Sequence, residues 1–180
     1  MRAVLPQTVS LSFPFTVREV VRLGVEAGGG SLSPHAAIDA CLAKAGLSGY
    51  ASRKIHQLSG GEQQRVHLAR VLAQVLADDG EVGPRWLFLD EPVSSLDLKH
   101  QIAVMDIARD FARSGGGVIA VLHDINLAAR YADHAFILGQ DGVIASGAPD
   151  NVMTSRTLSD CYGVGIAVET IKDRHYFVPA

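Results

Sequence analysis

Two short apolar runs, each ending abruptly in ionisable residues, restrict this chain more than any other feature of its sequence. Trp86-Leu87-Phe88-Leu89 stops at Asp90-Glu91-Pro92, and Val118 to Leu122 stops at His123-Asp124. Continuous apolar runs of this length read as parallel strands buried on both faces. Between them, Leu98 to Ala112 has helical spacing, with Ile102, Met105 and Ala108 or Ala112 expected inward, and Gly115-Gly116-Gly117 breaks it. Strand, helix and strand in that order imply a right-handed βαβ crossover, and hence an α/β fold with parallel core strands.

The rest of the chain is organised around this unit. From Thr16 to about Leu58 the pattern is helical, with Val17, Val20 and Val21 on one face. A Gly28-Gly29-Gly30-Ser31 break follows, and Pro34 opens a second helix carrying Ile38, Leu42 and Ala45. A third helix is expected from Ser59 towards Ala77, because Val66, Ala69, Leu72, Ala73 and Leu76 recur at helical spacing and Ser59 with Glu62 forms a capping-box pattern. Asp78 to Pro84 reads as a loop. Beyond the second strand come a helix over Asn126 to Ala132, a hairpin-like pair around Asp141-Gly142, and a tail with a turn at Lys172-Asp173. The expected division is a helical region over about 12–58, a helix and α/β core over 59–150, and a C-terminal tail over 151–180.

Composition narrows the class of function. The 180 residues are 48% hydrophobic, enough for one substantial core. The 16 basic and 19 acidic residues are mixed along the chain, giving a formal net charge of −3 and no basic stripe, so a nucleic-acid partner is not indicated. Cys41 and Cys161 are far apart and read as small buried hydrophobes in a reducing compartment. No apolar stretch approaches the length of a bilayer span, and Met1 to Gln7 has no signal-peptide pattern. A membrane role therefore needs a partner.

The chemistry gathers at the strand ends. In open α/β sheets, ligands bind beyond the carboxyl ends of the strands, so Asp90, Glu91 and His123 are expected as neighbours. A carboxylate after a buried strand can support Mg²⁺, the adjacent acid can orient or deprotonate a water, and a histidine can donate to a terminal phosphate. An isolated Asp-Glu pair is most often an exposed turn, and a lone histidine a scaffold residue; here the shared sheet edge favours the functional reading. The second element is Leu58-Ser59-Gly60-Gly61-Glu62-Gln63-Gln64-Arg65, in which glycines precede a helix N-terminus, an anion-binding arrangement.

These strings carry a family resemblance. LSGGEQQR is similar to the signature of ABC-type ATPases, Leu87 to Pro92 resembles their Walker B strand, and Ser95-Leu96-Asp97 resembles the D-loop. His123 falls where that family has its switch histidine, Gln7 in Leu5-Pro6-Gln7 resembles the Q-loop glutamine, and all five motifs occur in the family's order. The resemblance implies that Asp90 and Gln7 serve Mg²⁺, Glu91 is the catalytic base, and His123 holds the γ-phosphate. It also implies that Ser59, Gly60, Gly61 and Glu62 face ATP bound mainly to the other subunit of a homodimer, and that Asp97 communicates across that interface. Phe13-Pro14-Phe15-Thr16-Val17 would lead to a surface receiving a membrane permease, with simple core packing as the alternative.

A phosphate-cradling G-x-x-x-x-G-K-[ST] string does not occur, and none of Lys44, Lys54, Lys99 and Lys172 has its context. The family places that loop before the glutamine at position 7. The expectation is therefore a P-loop NTPase-like ABC ATPase domain whose first strands and P-loop lie upstream of Met1, with this stretch inactive on its own. Within the family, Ala3 to Gln7 and Leu11 to Val17 resemble haem importer ATPases, and His123 to Tyr131 suits the wider siderophore and cobalamin group. The implied setting is the cytoplasmic face of the inner membrane, with a periplasmic substrate-binding protein as an indirect partner. No residue here is expected to bind haem. Rival expectations are a siderophore or cobalamin importer motor, a non-hydrolysing adaptor, or a non-transport ABC ATPase.

Overall fold

The computed structural model describes residues 1–7, 13–30, 33–76, 83–172 and 174–180. Several expectations therefore lie outside the described residues: most of the loop from Asp78, the helix end at Ala77, Leu11-Ser12, Ser31 and Asp173. The chain divides into two compact units, Met1–Val121 and Leu122–Ala180.

The first unit holds β1 (Arg2–Leu5), α1 (Val17–Ala27), α2 (Pro34–Lys44), a short 3₁₀ turn (Ile55–Gln57), α3 (Gly60–Leu76), β2 (Trp86–Asp90), α4 (Leu98–Arg113) and β3 (Gly117–Val121). Its sheet has the order β1-β2-β3 and is parallel throughout, with Leu5 opposite Leu89 and Asp90 opposite Val121. The expected strand-helix-strand unit is present as β2-α4-β3. β1 adds a third strand that four residues are too few to announce by pattern.

The strands depart from expectation in burial. Leu87 and Leu89 are buried, as are Ala3 and Leu5 beside them, but the alternate row is open: Val4 and Ile119 are each 50% exposed and Val121 49%. The physical reason is one-sided cover. α3 packs against β1 and β2, where Ala3, Leu5, Leu87 and Leu89 are buried, whereas the row through Val4, Phe88 and Ile119 has no comparable cover among the described residues of this unit. The inward stripe of α4 also shifts, to Val104, Met105, Ala108 and Phe111, leaving Ile102 and Ala112 only half-buried. Phe111 closes the stripe at the helix end. Its ring fills the space beside Gly116, where an added Cβ would lie 2.3 Å from Cε1.

The helices meet as a layer around α3. Thr16 caps α1 in a full capping box, accepting from the Glu19 N–H at 3.2 Å while Glu19 Oε2 accepts from the Thr16 N–H at 2.6 Å. Val17, Val20, Val21 and Val25 are then turned inward, with Ile38 and Leu42 of α2 also buried. Each such side chain removed from water contributes roughly 1.5–3 kcal/mol. α3 is buried around most of its circumference, from Val66 to Val75. It lies so close to α1 that a Cβ on Gly24 would fall 1.9 Å from the Arg70 carbonyl oxygen.

The second unit contains α5 (Ile125–Tyr131), an antiparallel hairpin of β4 (Ala135–Gly139) and β5 (Gly142–Gly147), α6 (Pro149–Val152), α7 (Ser155–Tyr162), and a hairpin of β6 (Ile166–Ile171) with β7 (Arg174–Pro179). The pair around Asp141-Gly142 is thus a hairpin, with Gly142 at φ 122°. The tail is more ordered in form than its sequence announced: Met153, Leu158, Ile166 and Phe177 make a small core. Asn126 clamps the last strand to α5, donating to the Phe177 carbonyl at 3.0 Å and accepting from its N–H at 2.9 Å.

Two outcomes follow for stability. Gly24→Ala drives a methyl into the Arg70 carbonyl and should cost at least ~1–3 kcal/mol, read as a lower urea midpoint. His67 is 5% exposed, and burial, with a smaller push from Arg70, lowers its pKa to about 4. Unfolded, it protonates near the ordinary 6.5, so the unfolded state takes up the additional proton between those values. Its contribution to stability is full above about pH 6.5 and falls by on the order of 3 kcal/mol as pH drops towards 4. Urea titrations at pH 7 and pH 5 should show this loss, and His67→Gln should remove most of it.

Candidate functional site

Parallel pairing brings three strand ends to one edge of the first unit. Leu5 ends β1, Asp90 ends β2 and Val121 ends β3, and Gln7 lies exposed in a bend two residues beyond β1. Asp90 is likewise exposed. An amide oxygen and a carboxylate on one open edge are hard oxygen donors of the kind Mg²⁺ accepts, usually together with water and phosphate oxygens. Among the described residues no group of three or more His, Cys, Asp and Glu forms a dedicated metal cluster.

Glu91 follows Asp90 in a left-handed conformation, φ 46°, which costs a non-glycine residue energy and persists where neighbours fix it. Its N–H donates to the Val121 carbonyl at 3.1 Å. Its carbonyl accepts from the Ser94 N–H at 3.3 Å, from Ser94 Oγ at 3.2 Å and from Gln64 Nε2 at 3.2 Å. The turn carrying the acid is thereby tied to β3 on one side and to α3 on the other.

The head of α3 is built by the anticipated capping box. Glu62 Oε2 accepts from the Ser59 N–H at 2.8 Å and from Ser59 Oγ at 2.9 Å, while the Glu62 N–H donates to Ser59 Oγ at 3.3 Å. Tyr50 adds a hydroxyl donor to Glu62 Oε1 at 2.9 Å, and Arg53 lies over the Tyr50 ring at 4.0 Å from its centroid. The Ser59 N–H, then the Tyr50 and Ser59 hydroxyls, hold the Glu62 carboxyl below its ordinary pKa. The N–H groups of Gly60 and Gly61 stand at the first turn, where a helix has no internal acceptors for them.

The two glycines differ in surroundings. A Cβ at Gly60 would meet nothing within 4 Å, whereas one at Gly61 would lie 3.1 Å from Leu96 Cδ2 and 3.3 Å from the Ser95 carbonyl oxygen. Gly61 therefore lets the helix head sit against the loop that ends in Asp97. Ser59, Gly61, Glu62, Arg65, Ser95, Leu96, Asp97 and His100 together line an open depression of about 250 Å³. Asp97 caps α4: its Oδ1 accepts from the His100 N–H at 2.9 Å and contacts His100 Nδ1 at 2.8 Å. The His100 N–H is the main cause that keeps the Asp97 carboxyl below its usual range.

The structure thus gathers Ser59, Gly61, Glu62 and Asp97 at one depression, and Gln7, Asp90 and Glu91 at one sheet edge. His123 belongs to the second unit, where its carbonyl accepts from the Tyr162 hydroxyl at 3.3 Å, and its meeting with Asp90 and Glu91 stays an expectation of the sequence. Sequence reasoning missed Tyr50, His100 and Gln101, and gave Gln64, quoted within the signature string, no role of its own. His100 had a signal, since it stands three residues after an Asp at a helix start. Gln101 holds the loop before that helix, donating to the Leu96 carbonyl at 3.0 Å. The contact made by Gln64 had none, because its partner is 27 residues away.

Comparison with known proteins now bears on this site. The family model described as "ABC transporter" matches residues 2–94. The chain is 54% identical over 180 residues to the hemin import ATP-binding protein HmuV of Jannaschia sp. (strain CCS1), covering 99% of this chain and 66% of that protein. It is 54% identical over 168 residues to the protein of the same name in Ruegeria sp. (strain TM1040), covering 93% and 64%. The chain therefore spans about two thirds of the length of these relatives. Among solved structures, it resembles a metal-chelate type ABC transporter in an inward-facing conformation, with TM-score 0.82, 24% identity, and coverage of 99% of this chain and 72% of that one. It also resembles the dimeric ATP-binding cassette MJ0796 in a post-hydrolysis state with ADP and Pi, with TM-score 0.69, 28% identity, and coverage of 82% and 62%.

The Asp97 geometry sets a test. Asn caps a helix about as well as Asp, and Ala does not. Asp97→Asn should leave the thermal midpoint of the chain nearly unchanged, whereas Asp97→Ala should lower it measurably. Because the carboxyl is held below its ordinary pKa, this stabilisation is present above the unfolded pKa and is lost as pH falls through the folded one.

Proposed function

We propose, for a chain that belongs to the ABC transporter family, that it is the signature and hydrolytic part of an ATP-driven motor subunit powering haem uptake through a membrane permease. The observation that carries this reading is 54% identity across 99% of the chain to a hemin import ATP-binding protein. The local geometry supports it: an acid pinned at a parallel-sheet edge, and a capped glycine-rich helix head with open space at Gly60.

In this reading each site residue has a defined task. Glu91 accepts a proton from the attacking water, and its fixed backbone limits where its carboxylate can go. Asp90 and Gln7 supply oxygen ligands for Mg²⁺, whose chemistry is to neutralise charge on the phosphates of ATP. His123 donates to the γ-phosphate. Ser59, Gly60 and Gly61 present the positive end of α3 to the ATP of a second subunit, and Glu62 keeps Ser59 and that helix turn in place. Asp97 faces the same subunit boundary from the head of α4.

The assembly that fits these roles is a homodimer of motor subunits beneath permease subunits at the cytoplasmic face of the inner membrane, fed indirectly by a periplasmic substrate-binding protein. No helix among the described residues is long and apolar enough to cross a membrane, so the permease supplies the path. The phosphate-cradling string that ATP hydrolysis requires is not in these 180 residues, and we expect this segment by itself to turn over no ATP.

The test uses the full-length protein carrying this segment and a phosphate loop. Glu91→Gln should reduce ATP turnover by at least ~100-fold, within the range lost when a positioned acid or base is removed, while ATP binding persists. Turnover by that variant at the unmodified rate would overturn the role of Glu91. Haem uptake into vesicles carrying the permease should require ATP and the intact motor; uptake of a siderophore or cobalamin instead would overturn the cargo assignment.

A further inference from the structure

We infer that Gln64 is a positioning residue for turnover, holding the Glu91 turn in register with the head of α3 and so linking the signature to the catalytic acid. The inference rests on the proposed roles of Glu91 and of the signature, and three observations carry it. Gln64 sits one helical turn after Gly60 and Gly61, on the helix whose head is proposed to face the neighbouring subunit's ATP. Its Nε2 donates to the Glu91 carbonyl at 3.2 Å, a contact that spans 27 residues and joins α3 to the end of β2. Glu91 itself is left-handed at φ 46°, a conformation that needs external support in a residue with a side chain.

The chemistry of the contact fixes its direction. A carbonyl oxygen can only accept, so the amide nitrogen of Gln64 must face Glu91. The amide oxygen is then buried and has no hydrogen-bond partner among the described residues. Such an orphaned oxygen is unfavourable for folding, so packing alone would be served at least as well by an apolar side chain of the same length. The Glu91 carbonyl does not depend on Gln64 for satisfaction either, because Ser94 supplies both its N–H and its hydroxyl. What Gln64 adds is directional: it holds the peptide that aims the acid in register with the α3 head. When the signature closes over the neighbouring subunit's nucleotide, the acid of this subunit's own site is carried with it as one unit.

The test compares wild type with Gln64→Met in the full-length protein, since methionine keeps the length and removes the donor. We expect kcat for ATP hydrolysis to fall about tenfold, KM for ATP to stay within about twofold, ATP-driven dimerisation to persist, and the thermal midpoint to be unchanged or raised. A purely structural glutamine would instead give a lower midpoint with kcat intact in the folded fraction, and that result overturns the inference. Ser94→Ala, combined with Gln64→Met, should lower kcat by more than the product of the single effects; independent effects would also overturn it. Glu91→Gln serves as the reference. If that variant is inactive and Gln64→Met turns over normally, the inference fails alone; if Glu91→Gln is active, the reading beneath it fails as well.

Discussion

The burial of α3 is the constraint on which the first unit depends. Val66, Leu68, Ala69, Val71, Leu72, Ala73 and Val75 are all withdrawn from water, so this helix serves as core for α1, α2 and the sheet at once. A helix buried on most sides cannot shift without disturbing every layer it touches. Its position is further locked where Gly24 admits the Arg70 carbonyl and where Arg65 Nη1 reaches the Gly46 carbonyl at 3.3 Å. The polar head therefore projects from a fixed base. Ser59, Gly60, Gly61 and Glu62 need little of their own rigidity, because one capping box transfers the rigidity of the buried turns to the first turn.

The same economy explains how the loop from Glu91 to Asp97 is shaped. It has little apolar burial of its own beyond Pro92 and Val93, and it is held by polar side chains reaching in from two helices. Gln64 from α3 takes the Glu91 carbonyl, Gln101 from α4 takes the Leu96 carbonyl, and Asp97 closes the head of α4. Backbone groups in such a loop must be paired by something, and using side chains of flanking helices for that purpose ties loop geometry to helix position. A loop organised in this way responds to motion of the helices more than to its own sequence.

What could be read from the sequence follows the range of the interactions involved. The strand-helix-strand unit, the Ser59–Glu62 box, the Pro34 helix start and the hairpin at Gly142 are all local: periodicity or turn chemistry within a few residues specifies them. β1 escaped because four residues give only two turns of alternation. The α4 stripe was legible at Met105 and Ala108, while Val104 and Phe111, whose ring lies beside Gly116 beyond the helix end, were not anticipated. One-sided burial of the sheet was also illegible, since an apolar run states only that cover is wanted, and Trp86 at 41% exposure and Ile119 at 50% show where this segment does not supply it. Candidate site residues were visible through motif order, whereas Tyr50, and the contact that Gln64 makes from within the signature string, depend on partners distant in sequence and carry no local mark.

The histidines connect the fold to the choice of cargo. A chain similar to hemin import proteins invites the reading that its seven histidines concern haem, yet those the structure resolves in contacts are occupied with the protein itself. His35 meets Arg18 at 3.0 Å, His100 meets Asp97, His134 meets Ser146 at 2.9 Å, and His175 meets Thr170 at 3.2 Å. His67 is buried and kept neutral. What the first unit contributes to the proposed function is a helix head and an acid turn joined through α3, by the Ser59–Glu62 box at one end and by Gln64 at the other.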